Sequence, residues 1–365
     1  MKKLIKLQPR GVVTLRAVAQ HIGLTASTVS AVLNDAPAAR VIPQRTKDRV
    51  LAAARELNYR PNFFARTLRK KRTYTIGVIA EEIGDAYGAM VISGIEAYLR
   101  QKDYFFFTVV HRHDLQVLEH YTSMLIARGV EGFITVDTSL QSPPILPTVA
   151  VAGHRRMKGV TNIVLDHHMA GQLVITHLLE LGHREIAFIR GQTLSSDSSH
   201  RWTSSREVAR KRGLSIRSDL IIQLDSDEPA PEVGYRVTKQ LLSREKHFTA
   251  LFAYNDIAAI GAIRAIREAG LNVPEDISVI GFDDIREAAY QSPSLSTVRQ
   301  PLREMGEIAA RTLVDRIEGR KNSILEIALK PTLIARESTA KAPVRSQRRR
   351  GYVNAGRPLT SESQP

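Results

Sequence analysis

VTLRAVAQHIGLTASTVSAVLN, residues 13–34, decides how the N-terminal part of the chain folds. Leu15, Val18, Ala19 and Ile22 recur at the three-and-four spacing of one helical face, and Gly23 supplies the unhindered backbone that a tight turn needs. Thr25 is a good helix cap. After it Val29, Val32 and Leu33 share one face, which leaves Ala26, Ser27, Ser30 and Ala31 on the outer face and at its N-terminal end. That end is small and polar enough to enter a groove of duplex DNA. A third run, residues 44–57, repeats the spacing with Val50, Ala54 and Leu57, so three helices can close one small core. On pattern alone the stretch is equally a generic three-helix bundle.

Charge weighs against that bland alternative. Residues 1–72 carry 16 Lys+Arg against 3 Asp+Glu, whereas residues 73–338 carry 30 against 33 and the last 27 residues 6 against 1. The excess behind the net charge of +15 is therefore confined to the two ends. A basic small domain on a near-neutral large one is the electrostatic footprint of nucleic-acid binding.

The next segment, YRPNFFARTLRKKR at residues 59–72, opens with a proline that biases Arg60 away from helix and offers Asn62 as a cap. A helix of roughly two turns there is marginal alone, because nucleation is unfavourable, and is expected to order mainly when docked.

On these residues the chain resembles the LacI/GalR family of bacterial transcriptional regulators from about Val13 to Ser338. Thr14-Leu15, Val18-Ala19, Gly23, Thr28-Val29-Ser30 and Leu33-Asn34 match the family's helix-turn-helix. Tyr59, Pro61-Asn62 and Ala65-Arg66-Thr67-Leu68 match its hinge helix. The resemblance implies DNA contacts from Thr14, Leu15, Thr25, Ala26, Ser27, Thr28, Ser30, Ala31 and Asn34 in the head, and from Tyr59, Asn62, Ala65, Arg66, Leu68 and Arg69 in the hinge. In the family, paired hinge helices occupy the minor groove and a leucine, here Leu68, wedges into the central step, spending unstacking energy to gain a bent duplex.

The recognition helix departs from the commonest family pattern. Ala26 and Ser27 hold the two base-contacting positions, and Ala31 stands where arginine is frequent. Bidentate bonding to a purine edge is thus unavailable. Ser27 can still bond, Ala26 or Ala31 can touch a thymine methyl, and more discrimination falls to Leu68 and to DNA deformability.

From Tyr74 onward short apolar runs alternate with helical stretches. Residues 75–80, 105–110, 132–136, 148–151, 186–189, 251–253 and 278–281 read as buried parallel strands. Residues 89–100, 115–128, 169–181, 231–243, 257–269 and 302–318 have helix length and composition. The fold class is therefore α/β, and a region of this size calls for two lobes. The full expectation is a three-helix helix-turn-helix domain (1–58), a hinge helix and linker (59–73), and a two-lobed effector and dimerisation domain (74–338), followed by a disordered basic tail (339–365).

The resemblance implies two Rossmann-like lobes of the periplasmic-binding-protein type with a ligand cleft between them. Lobe 1 is expected over about 74–163 and 294–322, and lobe 2 over about 166–291 and 325–338, with crossovers near 163–166, 292–294 and 322–325. Ligands of open α/β sheets sit beyond the carboxyl ends of strands, which points to Asp85, Tyr87, Asp137 and Asp283. Four positions look similar to family effector contacts: Arg201, whose planar fork suits vicinal hydroxyls or a carboxylate, the pair Asn255-Asp256, and again Asp283. Trp202, the only tryptophan, either covers the site or packs on the lobe. The first loop, Glu81 to Gly88, has one aromatic fewer than is common, and Pro229 falls near a position that holds a stacking ring in some relatives. A sugar or polyol is therefore favoured over a flat aromatic ligand such as a purine.

Catalytic chemistry finds little footing. The chain has no cysteine and therefore no thiol nucleophile or disulfide, and it carries neither a nucleophile elbow nor a phosphate loop nor a His-Glu-x-x-His run. His111-x-His113 and His167-His168 come closest to metal spacing but have no convergent carboxylate, and Asp225 to Glu228 lacks the glycine of a calcium loop. No cofactor and no metal are expected. With no signal-peptide core and no membrane-length apolar run, the expected location is the cytoplasm. The reading is a homodimeric regulator, a repressor of a carbohydrate-uptake or catabolic operon, on a near-palindromic DNA operator and controlled by a sugar-like effector. The rivals are a solute receptor without DNA function and a nucleotide-sugar or phosphosugar enzyme.

Overall fold

Thr14 and Thr25 each begin a helix by accepting a backbone N–H three residues on, from Ala17 and Thr28, both at 3.2 Å. The computed structural model in which these bonds are seen describes residues 13–60, 71–153, 155–193, 195–226, 228, 230–244, 247–320 and 324–344. Asn62, Ala65, Arg66, Leu68, Arg69, Pro229 and the tail beyond 344 lie outside the described residues.

The N-terminal unit contains α1 (Leu15–His21), α2 (Ala26–Leu33), a 3-10 turn (Pro37–Val41) and α3 (Gln44–Glu56). Gly23 makes the turn between the first two helices at φ 66°, a conformation that costs glycine nothing. Val18, Ala19, Val29, Val50, Ala53 and Ala54 close the core. Arg49 donates from Nη2 to the carbonyl of Ile22 at 2.8 Å, tying α3 to the end of α1.

The second unit, from Tyr74 onward, is built on two six-stranded sheets. The first has order β11-β5-β4-β3-β1-β2, all parallel: β1 (Thr75–Ala80), β2 (Phe105–Val110), β3 (Phe133–Val136), β4 (Thr148–Val151), β5 (Val160–Leu165) and β11 (Glu326–Leu329). The second has order β12-β10-β9-β8-β6-β7, with only β12 antiparallel: β6 (Ile186–Arg190), β7 (Ile221–Gln223), β8 (Ala250–Ala253), β9 (Ser278–Asp283), β10 (Ser296–Arg299) and β12 (Thr332–Ile334). The first lobe also contains α4 (Ala86–Gln101), α5 (Leu115–Ala127) and α10 (Leu302–Ile317). The second contains α6 (His167–Glu180), α7 (Ser196–Lys211), α8 (Pro231–Ser243) and α9 (Asp256–Glu268).

One helix pair in each lobe meets backbone to backbone. A Cβ on Gly94 of α4 would strike the carbonyl of Arg303, and one on Gly306 of α10 the carbonyl of Val91. In the second lobe Gly261 of α9 approaches the carbonyl of Pro231, and Gly234 of α8 that of Ala258. These reciprocal glycines fix both crossings, because protein interiors are close-packed and have no room for an added methyl.

The lobe boundaries differ from the sequence expectation at two crossovers. The first lies at Asp166, between β5 and α6. Residues 296–299, expected in lobe 1, instead form β10 beside β9 in the second sheet, so the chain crosses at Gln300-Pro301. Residues 326–329, expected in lobe 2, form β11 beside β5 in the first sheet, and the last crossover falls at Lys330-Pro331. A proline ends pairing at both points because it has no N–H for a ladder. The tail also departs from expectation at its start. Ala340 donates to Ser278 Oγ at 3.0 Å and accepts from His183 Nε2 at 3.0 Å, and Ala342 N–H bonds the carbonyl of Leu181 at 2.8 Å, so the ordered body continues past 339.

Candidate functional site

Two surfaces carry chemistry, one in each unit. On the head, Thr25, Ser27 and Asn34 are exposed along α2 and at its ends. Ser27 Oγ and Thr28 Oγ1 both hydrogen-bond Thr25 Oγ1, at 2.8 and 2.9 Å, and Asn34 Nδ2 donates to the carbonyl of Ser30 at 2.8 Å. The polar end of α2 is thus held in place before any partner arrives. Ala31 departs from its expected place. It is buried with Ala36 and Ala39 under the 3-10 turn, so its methyl packs the head and cannot reach a base. Ala26 and Tyr59 are half-buried against the head core, and Leu15 packs there too, while Thr14 is spent as the cap of α1.

In the second unit a cleft of about 750 Å³, counted out to its mouth, opens between the lobes at the carboxyl ends of the strands. From the first lobe it is lined by Glu81, Glu82, Asp85, Tyr87, His113 and Asp137, and from the second by residues that include Asp197, Arg201, Tyr254, Asn255 and Asp283. The loops after β2, β3 and β9 enter it through left-handed backbone at His113 (φ 60°), Asp137 (φ 43°) and Asp283 (φ 114°). Such conformations cost about 1–3 kcal/mol each and persist only where surrounding structure holds them.

Arg201 projects from the middle of α7 and is only 4% exposed. Its Nη2 donates to Asp197 Oδ2 at 2.8 Å and its Nη1 to the carbonyl of Tyr254 at 2.5 Å. The guanidinium carbon lies 3.6 Å from the centre of the Phe282 ring and 4.5 Å from that of Tyr254. Both ends of the fork are therefore engaged by the protein, and Nε alone is buried without a hydrogen-bond partner. His167 Nε2 meets the other oxygen of Asp197 at 2.9 Å, so one carboxylate bridges α6 and α7.

Three acids at the cleft are pushed out of the usual carboxylate range. Burial raises Asp137 to about 8, reinforced by Asp197 and by Glu81, with which it shares a hydrogen bond. Burial lifts Asp283 well above its ordinary value, although Arg201 and a 2.6 Å bond from Gln300 Nε2 oppose the shift. Asp85 is raised by burial while its Oδ1 caps α4 through Gly88 N–H at 2.8 Å. Glu81 also pairs with His113 at 2.7 Å.

Two expected effector residues fall elsewhere. Trp202, one residue round the helix from Arg201, packs on Phe188 with ring centres 5.6 Å apart and lines a small separate recess behind the cleft. Asp256 is wholly buried, with Oδ1 accepting from Thr297 Oγ1 at 2.6 Å and Oδ2 from Ile285 N–H at 2.9 Å. It locks α9 to the loop after β9 rather than facing ligand, and burial raises it to about 7. Its neighbour Asn255 caps α9 through Ala258 N–H at 2.9 Å and does line the cleft. Sequence reasoning did not assign Glu81, His113, Asp197 or Tyr254 to the effector cleft. The strand-end rule that reached Asp137 would also have reached Glu81, after β1, and Tyr254, after β8.

This geometry can be set beside known proteins. The lacI family of bacterial regulatory proteins matches residues 14–62, and a periplasmic binding protein-like domain matches residues 175–339. The chain is 34% identical over 345 residues to the HTH-type transcriptional repressor PurR of Erwinia tasmaniensis, covering 92% of this chain and 99% of that one. It is a member of the lacI family. This lacI-family chain also superposes on the lac repressor dimer bound to operator and the anti-inducer ONPF, with a TM-score of 0.81 and 26% identity over 90% of this chain and 100% of that one. A CelR–cellobiose complex gives a TM-score of 0.66 at 27% identity, over 89% of this chain and 99% of that one. A lacI-family regulator from Enterococcus faecium with bound ribose gives 0.65 at 29% identity, over 73% of this chain and 99% of that one. The protein is a DNA-binding transcriptional regulator with an effector-binding domain, a reading these relatives favour over that of a solute receptor. No helix among the described residues is long and apolar enough to cross a membrane.

Proposed function

We propose that this lacI-family protein represses a carbohydrate uptake or catabolic operon, binding a near-palindromic operator as a homodimer and releasing or tightening it when a sugar-like molecule enters the cleft. One observation carries the reading. A single chain joins a basic head that presents the polar end of α2 to a two-lobed body whose cleft gathers polar side chains from both lobes at its strand ends. Relatives of this build hold cellobiose, ribose or, in the lac repressor, ONPG, and the first two support a saccharide here.

In this reading Thr25, Ser27, Thr28 and Asn34 face the DNA, with Ser27 the nearest donor to a base edge, and the lysines and arginines of residues 1–72 bind phosphates. Two-fold protein symmetry demands two half-sites. The outer side of the edge strand β2, where Phe105 is 60% exposed with Phe107 beside it, is the surface assigned to the partner subunit. Ligand closes the lobes about three crossover segments and changes the spacing of the two heads, a coupling whose size equals the ligand's preference between the two states. Genomic footprinting followed by operator gel shifts with and without candidate sugars tests the proposal. A protein without preference for any genomic fragment over random duplex at physiological ionic strength overturns it, as does operator binding unchanged when residues 1–72 are deleted. No second function is favoured by any contact in the cleft, and the named relatives are transcriptional repressors or regulators.

A further inference from the structure

The described residues that line the cleft include many more acidic than basic side chains, and the two basic ones, Arg201 and His113, are already taken. Arg201 gives both terminal nitrogens to Asp197 and the Tyr254 carbonyl, and His113 pairs with Glu81. Asp137 has a second carboxyl, that of Glu81, as its hydrogen-bond partner. Among the described residues, Asp85 and Asp283 bond neutral donors, Gly88 N–H and the Gln300 amide. These acids converge from both lobes on one cavity.

A second observation points to an absent ligand. The hydroxyl oxygen of Tyr87 is buried in the same wall with no hydrogen-bond partner, facing Asp137, Asp197 and Asp283. A buried polar group left unmatched costs about 1–3 kcal/mol, so something that bonds it belongs there. Once its acids are ionised, the arrangement is rich in acceptors and short of donors. A neutral sugar hydroxyl brings one donor and two lone pairs, whereas an ammonium brings three donors and no acceptor. Burial holds protons on these acids, and an ammonium beside them draws those protons off and pairs with the carboxylates left behind, whereas an anionic ligand, a sugar phosphate or sugar acid, has no free cation to meet and opposes their ionisation.

Resting on the reading of this cleft as the effector site, we propose that its ligand is a polyhydroxylated compound bearing a protonated primary amine, an amino sugar, whose ammonium is held by Asp137 and Asp85. The hydroxyls then meet Tyr87 and the free Nε of Arg201. Both carboxylates can be neutralised without disturbing the backbone. Asn tolerates the left-handed φ of 43° at position 137, and Asn is as good a helix cap as Asp at position 85.

The test is isothermal titration of the full-length protein at pH 7.5 with glucosamine and galactosamine. Glucose, galactose, N-acetylglucosamine and gluconate serve as neutral and anionic counterparts. At least one amine is expected to bind about tenfold or more tighter than its neutral parent and its N-acetyl form, a difference of about 1.4 kcal/mol or more. Asp137→Asn and Asp85→Asn, each folded by thermal melt, should cut that affinity about tenfold. A neutral or anionic sugar that binds as tightly as the amines and shifts operator affinity overturns the amine while leaving the effector cleft standing. If none of these compounds binds at millimolar concentration while the operator is still bound, both the amine and the saccharide cleft fall. Undiminished amine affinity in the two folded Asn variants overturns the assignment to Asp137 and Asp85.

Discussion

Gln300 Nε2 donates a 2.6 Å hydrogen bond to Asp283 Oδ1, and the two residues are 2% and 5% exposed. Asp283 looks into the cleft, while Gln300 is the residue at which the chain leaves the second sheet for the first. The acid wall and one crossover are therefore a single hydrogen-bonded unit. Gln300→Ala strands a buried acceptor and is expected to destabilise the body by about 1–3 kcal/mol. It should also move the effector midpoint of operator gel shifts. An unaltered midpoint would disconnect this pair from the switch.

The buried acids predict how stability follows pH. Asp137 and Asp256 titrate at about 8 and about 7 in the folded protein, raised by burial, and near the ordinary 3.8 when unfolded. The folded state therefore keeps protons that the unfolded chain has lost, and stability falls as pH rises through these values. His111, buried and held down to about 4, works the other way, costing stability only as pH drops below about 6.5. Between pH 6.5 and 8.5 only the acids act, so the melting temperature of the ligand-free protein should decline across that window. Asp137→Asn should flatten the decline, and a melting temperature that climbs instead would contradict the burial of these groups.

On the head, Thr25 and Ser27 separate two roles. Thr25→Ala removes the cap of α2 and should cost the head about 1 kcal/mol, visible in its unfolding transition. Ser27→Ala removes an exposed hydroxyl, so the fold should hold while specific operator affinity falls and binding to random duplex does not. Equal losses on both DNAs would deny Ser27 a role in reading sequence.

Arg201→Lys keeps the charge and loses the fork. A single ammonium cannot reproduce the paired contacts to Asp197 and the Tyr254 carbonyl together with stacking on Phe282. Effector affinity should drop about tenfold or more, whereas operator affinity without effector stays. Arg201→Ala leaves Asp197 buried with its guanidinium partner gone and should unfold the lobe more readily, by about 3–5 kcal/mol.

Phe105→Asp puts a charge on the exposed edge strand β2. Sedimentation should report monomers at concentrations where the parent is dimeric, with operator affinity falling accordingly. A dimer that survives the change places the subunit contact elsewhere.

The sequence made some elements plain and hid others for physical reasons. β1, β3 and β4 announce themselves because strands covered on both faces are almost continuously apolar. α7 was not anticipated, since its inward stripe is Asp197, Ser198, Arg201, Ser205 and Val208, and hydropathy cannot see a helix that buries polar side chains. β5 is hidden behind Thr161 and Asn162, and its second half falls in the stretch expected as a crossover, residues 163–166. The lobes of β10 and β11 depend on partners more than a dozen residues away in sequence, which local spacing does not encode. In the cleft, strand ends led to Asp85, Tyr87, Asp137 and Asp283, whereas the partners that set their charge come from α7, β8 and the loop after β2.

The reciprocal glycines of α4 with α10 and of α8 with α9 have a mechanical meaning for anyone who would refit this sensor. With backbones interlocked, neither lobe can soak up a ligand's pull by internal slippage, so strain from the cleft is transmitted undamped to the connecting strands. Exchanging strand-end loops should therefore retune what is detected without dulling the response, provided those four glycines are left alone.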